Sequence, residues 1–300
     1  MEMKKQRILC LLTAAIIFLS SCGTAVPEDS SSSKGSESTA GSATVGASES
    51  TAGILHVYCF AAGKADAILL YTDKSAVLID TGDSGFGKKI VDALEQRGIS
   101  SLDYLILTHF DQDHVGGAAK VLNSIRVKQV LQSDCLKDSS EYEKTVDALK
   151  QAGLTPVTVR ETTAFTLDSV TYTVDPPKQE TYSVQASNNS SLIISAVYGE
   201  RRFLFAGDAA DARLQEFVAE DNGSYDFLKV PYHGSYQQTL PAFFTAVRPA
   251  YAVITCSNDE PEDDATMKAL ADTGTEVFLT RIAPVLAESD GTSLTVQYAD

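Results

Sequence analysis

The amino-acid sequence predicts an α+β fold, a four-layer αβ/βα sandwich in which two mixed sheets face each other and helices cover their outer faces. The order of elements carries this reading: strand-like runs come first, amphipathic stretches alternating with strands follow, and the progression occurs twice. A second observation is the wholly apolar run Leu105–Leu107, the pattern of a short buried strand. The third is size, since 300 residues with 44% hydrophobic content can bury one sizeable core, and layered domains of this length commonly stay single.

The N-terminus stands apart from that core. Lys4, Lys5 and Arg7 precede an apolar run, Ile8 to Leu19, that ends in Leu19-Ser-Ser-Cys22. Residues 1–21 read as an export signal with a lipoprotein-type cleavage box. The resemblance to bacterial lipoproteins implies cutting before Cys22 and acylation of its thiol, an anchor to the bacterial cell membrane. A spanning helix is the weaker reading, because the run falls short of the ~20 apolar residues that cross a bilayer. Residues 22–53 hold the lipidated cysteine and then a stretch of Ser, Thr, Ala and Gly in which Ser36-Glu-Ser-Thr-Ala-Gly41 recurs as Ser48-Glu-Ser-Thr-Ala-Gly53. Such a composition cannot offset the entropy of ordering and is expected to be a disordered tether, with ends roughly 30 Å apart, that holds the domain outside the membrane.

The globular domain is expected over residues 54–300. Three short strands, Ile54–Phe60, Ala67–Tyr71 and Ala76–Asp80, open it, with His56 a structural strand residue. A helix about Gly87 to Arg97, the strand ending at Leu107, a helix after Gly116, a strand at Val127–Gln132 and a helix about Ser139 to Ala152 follow. Pro156–Arg160, Phe165–Leu167, Val170–Val174, Leu192–Tyr198 and Arg202–Ala206 return to strand pattern. Asp134–Tyr142 and Asp175–Ser187 read as loops that shape a cleft. Beyond Cys10 and Cys22, the chain has Cys59, Cys135 and Cys256; a disulfide between two of them is open, but buried thiols are the better default.

The chemistry concentrates in one stretch. The apolar strand empties into His109, Asp111, Asp113 and His114, which include two of the chain's four histidines. In an extended segment residues two apart share a face, so His109, Asp111 and Asp113 can project to one side, and Gly116-Gly117 lets the chain turn afterwards. Imidazole and carboxylate are ligands that zinc, iron and manganese accept, and crowded acids are costly without a cation among them. The bland alternative is a solvated loop. Asp208 follows a second strongly apolar strand and a glycine; on residue logic alone, helix N-cap and metal ligand are equally good readings. His233 also lies just past a strand.

Thr108-His-Phe-Asp-Gln-Asp-His-Val-Gly-Gly117 resembles the metal-binding signature of the metallo-β-lactamase superfamily, in the form found in the nuclease-like domain of ComEC-type competence proteins. Leu78-Ile-Asp-Thr-Gly82, Asn188-Asn-Ser-Ser-Leu192, Phe205-Ala-Gly-Asp208 and Val230-Pro-Tyr-His-Gly-Ser235 are similar to further landmarks of that branch, in the same order. The resemblance implies the sandwich fold and one or two divalent ions, Zn2+ or Mn2+, held by His109, Asp111, Asp113, His114, Asp208 and His233. In it Asp208 would bridge two ions and Asp113 would orient the water nucleophile and take its proton. Asp80, with Asp66, would stand behind the ligands, while Asn189, Tyr232 and Ser235 would serve as supporting or substrate-facing groups. Two departures matter. Tyr232 replaces the first histidine of a His-His-Gly-Ser motif, so the site is complete only if the second, His233, is the ligand. After Cys256 the branch commonly carries histidine, whereas this chain reads Ser257-Asn-Asp-Glu-Pro-Glu-Asp-Asp264, acids that would suit harder ions.

Two functions follow. The first is a lipid-tethered, extracytoplasmic metal-dependent hydrolase acting on a phosphodiester, nucleic acid among the candidates; a β-lactam fits the Asp111 form less well. The second is a surface binding or interaction lipoprotein on the same fold with a degenerate metal site. The formal net charge of −16 and the absence of any basic run favour the second, because polyanion binding draws on Lys and Arg.

Overall fold

The computed structural model describes residues 53–299 apart from Leu136, Asp138 and Asn222. The export signal, Cys22 and nearly all of the expected tether lie outside the described residues. Among the described residues no helix is long and apolar enough to cross a membrane.

Strands β1 (Leu55–Cys59), β2 (Ile68–Tyr71) and β3 (Ala76–Ile79) form an antiparallel meander. Helix α1 (Gly87–Gln96) then crosses to β4 (Ser101–Leu107), which pairs parallel to β3. Short helices α2 (Gln112–Val115) and α3 (Ala118–Ser124) lead to β5 (Arg126–Gln132), and α4 (Ser140–Gln151) leads to β6 (Val157–Thr158). The second sheet repeats the plan. Antiparallel β7 (Thr163–Leu167), β8 (Val170–Asp175), β9 (Ile193–Tyr198) and β10 (Arg201–Phe205) enclose the short helix α5 (Ala186–Asn189). Then α6 (Asp211–Glu220), β11 (Phe227–Lys229), α7 (Leu240–Val247), β12 (Tyr251–Ile254), α8 (Asp264–Ala271) and β13 (Glu276–Leu279) add parallel strands by helical crossovers. A closing hairpin, β14 (Val285–Ser289) and β15 (Leu294–Tyr298), returns to the first sheet and pairs with β1. The sheets run β15-β14-β1-β2-β3-β4-β5-β6 and β13-β12-β11-β10-β9-β8-β7.

The apolar central strands explain the layering. On β4, Ile106 points into the core between the sheets with Val57, Phe203 and Phe227. Its neighbours Leu105 and Leu107 point the other way, against Ile90, Leu94, Val121 and Leu149 of the outer helices. On β10, Phe203 and Phe205 face the inter-sheet core, and Leu204 faces Leu214, Phe243 and Leu270. A strand covered on both faces has no side that prefers water, so it reads as continuous rather than alternating. The four layers expected from the sequence follow from these side chains.

Some elements differ from expectation. The strand expected over Pro156–Arg160 shrinks to two residues, because only Val157 and Thr158 find register partners on β5 at the sheet edge. Arg160 instead forks onto Asp134 at 2.7 and 2.9 Å. The closing hairpin was not expected. His56 is a strand residue as expected, stacked on Tyr71 at 4.6 Å and paired with Glu288 at 3.0 Å. Cys59 and Cys256 are buried thiols.

Candidate metal centre

Parallel strands deliver the site. β4, β10, β11 and β12 all end at one edge of the sandwich, and the residues just past their C-terminal ends meet there, the usual crevice of sheets with parallel strands. Past β4, Thr108 donates from its backbone N and Oγ1 to the Asp80 carboxylate at 2.8 and 2.7 Å, and Phe110 is buried. The chain stays extended only through Asp111, whose φ/ψ is −71/149, and α2 starts at Gln112. The expected common face for His109, Asp111 and Asp113 therefore holds for the first two alone. Their donors, Nε2 and Oδ2, lie 3.8 Å apart. The helical turn carries Asp113 and His114 to a different cluster.

Gly116 and Gly117 serve another purpose than the expected turn. The backbone at Gly116 and Gly117 has ordinary negative φ, −58° and −89°. A Cβ on Gly116 would stand 2.3 Å from Ser84 N, and one on Gly117 2.3 Å from Thr81 O, so the glycines let two loops touch. The strain lies elsewhere. Asp80, Tyr232 and His233 have φ of 56°, 51° and 52°, left-handed values rare outside glycine that cluster where function over-determines the backbone.

Asp113, His114, Asp208 and His233 form a tight set. His114 Nε2 lies 3.2 Å from Asp208 Oδ1, 3.3 Å from His233 Nε2 and 4.0 Å from Asp113 Oδ2. His233 Nε2 lies 3.1 Å from Asp208 Oδ2 and 3.2 Å from Asp113 Oδ2. Tetrahedral donors about 2.1 Å from an ion are about 3.4 Å apart, so the set fits a small divalent cation. Each imidazole is braced from behind, as ligating histidines are. His114 Nδ1 donates to Asp80 Oδ2 at 2.7 Å, and His233 Nδ1 to Thr255 O at 3.1 Å. With those protons committed, both neutral rings aim a lone pair at carboxylates. Lone pairs facing oxygens need a cation or an extra proton between them. Asp208 Oδ1 is buried and, though near His114, out of line for a hydrogen bond.

Without a cation, protons take its place. Burial disfavours charge on His114, but Asp208 and Asp80 outweigh it and hold the ring well above its ordinary 6.5; burial likewise opposes charge on His233, and Asp208 and Asp66 raise it. Burial pushes the Asp208 carboxyl up, and the two imidazoliums pull it well below the usual range. Asp113, pushed up by burial but drawn down by His233 and His114, falls to about 2. His109 is driven the other way, to about 4, by burial and then by the charge on His114.

Beneath the set lies a buried pair absent from the sequence reading as such. Lys229, fully buried at the end of β11, contacts the Asp66 carboxylate, donates to Gly207 O at 2.9 Å and stands 3.6 Å from Asp208 Oδ1. Asp66 also accepts from Thr255 Oγ1 at 2.6 Å. A lysine closing an apolar run was the available signal. Asp208 does not cap α6: that helix starts at Asp211 with Ala210 at its N-cap position and no side-chain cap, which removes the N-cap reading. Asn189 is spent on the fold, with Oδ1 accepting from Arg213 N at 3.0 Å and Nδ2 donating to Val184 O at 2.9 Å. Ser235 sits behind the turn, its N donating to Tyr232 O. His233 enters the set, and Tyr232 lines the cleft instead. The late acids do not reach the set; Glu262 pairs with Arg281 at 3.0 Å and Asp263 accepts from Tyr236 N at 2.6 Å.

The set opens onto a cleft of about 610 Å3 lined by Asp111, Asp113, Asp208 and His233, with Lys64 and Glu260 among its other walls. Of the two loops expected to shape a cleft, the second supplies Gln185, Ala186 and Ser187 to its lining, whereas the first, among the described residues, supplies none of the lining and only brings Lys137 onto Asp111.

A fold of two such sheets with this donor set places the protein in a known class. The sequence profile of the metallo-beta-lactamase superfamily matches residues 61–257, and the chain belongs to that superfamily. ComE operon protein 3 of Bacillus subtilis is 29% identical over 203 residues, covering 62% of this chain and 26% of that protein. Recombination protein 2 of Haemophilus influenzae is 26% identical over 204 residues, 66% of this chain and 24% of that protein. The chain thus spans about a quarter of the length of these two relatives. The metallo-beta-lactamase fold protein YhfI from Bacillus subtilis superposes with a TM-score of 0.54 at 11% identity, over 82% of this chain and all of that one, a likeness of fold.

Proposed function

We propose that this protein is an extracytoplasmic, lipid-tethered, metal-dependent hydrolase that cleaves a phosphodiester with water, nucleic acid or a fragment of it being the first candidate. The observation that carries this reading is the convergence of four ligand atoms, from Asp113, His114, Asp208 and His233, the two imidazoles having their other ring nitrogens already committed to Asp80 and Thr255. That arrangement argues against a degenerate site, because such crowding is costly unless a cation uses it. A divalent ion at these residues, Zn2+ or Mn2+, supplies Lewis acidity and makes water a nucleophile near neutral pH.

The chain's own groups do the rest. Asp113, about one-third exposed and ionised, faces both the set and the cleft and is placed to accept a proton from attacking water. Tyr232 offers a phenol at the cleft wall. The relatives' names, a ComE operon protein and a recombination protein, support DNA as the polymer class. The acidic cleft favours short or locally single-stranded phosphodiesters over duplex, since only a cation inverts its field and does so locally. The lipid anchor rests on Lys4 to Cys22 alone.

The test is hydrolysis of bis(p-nitrophenyl) phosphate and of a short single-stranded oligonucleotide by the full chain loaded with Zn2+ or Mn2+, beside an Asp113→Asn variant. Cleavage that needs the metal and falls at least 100-fold in the variant is expected. Metal binding without cleavage of either would refute the phosphodiester assignment.

A further inference from the structure

The two halves of the crowded loop are built unequally. Asp113, His114, Asp208 and His233 form one complete position. Beside it His109 Nε2 is buried and, among the described residues, without a hydrogen-bond partner, facing Asp111 Oδ2 at 3.8 Å. His109 is oriented through Nδ1, which meets Thr108 Oγ1 at 3.2 Å and Ser191 Oγ at 3.4 Å. This second position has an imidazole, one carboxylate and at most a share of Asp208. Its carboxylate is already occupied, because Asp111 Oδ1 accepts from both Lys137 Nζ and Ser187 Oγ. Lys137 comes from the loop before α4 and Ser187 from α5, so two separate elements converge on one oxygen.

We propose that this protein holds a single divalent ion, at Asp113, His114, Asp208 and His233, and that the Lys137 ammonium stands in for a second. The inference rests on the metal-dependent reading above and adds the count and its cause. An ammonium on Asp111 neutralises the one carboxylate the second position owns and repels a dication that would sit within a few ångströms. Lys137 also brings a fixed positive charge onto Asp111, a cleft-lining residue, from which it can meet a phosphoryl oxygen that a second ion would otherwise take. The unpartnered His109 nitrogen is the remnant through which the second position can be restored.

The experiment counts metal. The full chain, purified in detergent, is stripped with chelator, dialysed against Mn2+ or Zn2+, freed of unbound ion and measured by mass spectrometry. Electron paramagnetic resonance of the Mn2+ form reads spin coupling without any turnover. Wild type and Lys137→Arg, which keeps the charge, are expected to retain one equivalent and an uncoupled six-line spectrum. Lys137→Met and Lys137→Gln are expected to retain two, doubling the metal content, with exchange-coupled lines. Circular dichroism of all four checks the fold, and the two neutral variants back each other up. Two equivalents in wild type, or one in both neutral variants, would overturn the inference and leave the hydrolase reading standing. No metal in any form would overturn both.

Discussion

Replacing Lys229 with methionine tests the buried support of the site. Lys229 is fully buried and Asp66 1% exposed, so the substitution keeps the aliphatic volume and leaves the Asp66 carboxylate without its ammonium. Breaking a buried pair from one side costs about 3–5 kcal/mol, much of it the stranded charge. Thr255 Oγ1 still donates to Asp66 at 2.6 Å and His233 Nδ1 lies 3.5 Å away, which places the expected loss at the lower end, about 3 kcal/mol. Asp66→Asn strands Lys229 in turn, although its bond to Gly207 O survives, and is expected to cost about as much. The double variant carries neither charge and should lose only about 1–2 kcal/mol, about 4 kcal/mol or more short of the sum of the singles. Urea unfolding of the full chain with chelator present, followed by circular dichroism, measures all three without a contribution from bound metal. In a domain of this size about 3 kcal/mol corresponds to a fall in Tm of roughly 10 °C. Single variants that cost less than about 1 kcal/mol, or a double variant equal to the sum of the singles, would refute the claim that this pair is a compensated buried charge.

Three further outcomes are expected. Asp208→Ala, which removes the carboxylate shared by both imidazoles, should weaken metal binding at least 100-fold by calorimetry while the far-UV spectrum stays unchanged; retained affinity would remove Asp208 from the donor set. In chelator, stability should peak near pH 6.5. His109 is neutral in the fold down to about 4, so between about 4 and 6.5 it leaves the unfolded chain with more protons and makes stability rise with pH by up to about 1.4 kcal/mol per unit, offset in part by Asp80, whose carboxyl burial raises and whose contribution falls with pH. Above 6.5 the raised His114 and His233 leave the folded state with more protons, and stability falls as pH climbs through their folded values; urea midpoints from pH 4 to 9 that rise throughout would contradict this. Gly117→Ala should destabilise by about 1–3 kcal/mol through the 2.3 Å approach to Thr81 O, despite its ordinary φ, and a neutral result in thermal unfolding would show that the Thr81 loop yields.

The sequence by itself determined the layers and the location of the chemistry. Ile106 between Leu105 and Leu107, and Phe203, Leu204 and Phe205 on the second sheet, are apolar on both faces because each central strand is covered on both, and that requirement is written locally. The crowded His109 to His114 loop was legible because donors packed past an apolar strand are costly without a cation, while for Asp208 an N-cap stood as an equal reading and the family resemblance tipped it toward ligand. What only the tertiary structure decided is how those donors divide. The helical turn at Gln112 separates His109 and Asp111 from Asp113 and His114, a distinction that period-two reasoning misses because a single turn changes which residues share a direction. Lys229, Lys137 and Ser187 entered the site from positions far apart in the chain, and although the resemblance put Asp66 near it, no local pattern reports a contact across 163 or 76 residues' separation such as Lys229–Asp66 or Ser187–Asp111. Local pattern records what each residue must avoid, water or apolar surroundings; which charge meets which is set by how the sheets bring their strand ends to one edge, and that is a property of the packed whole.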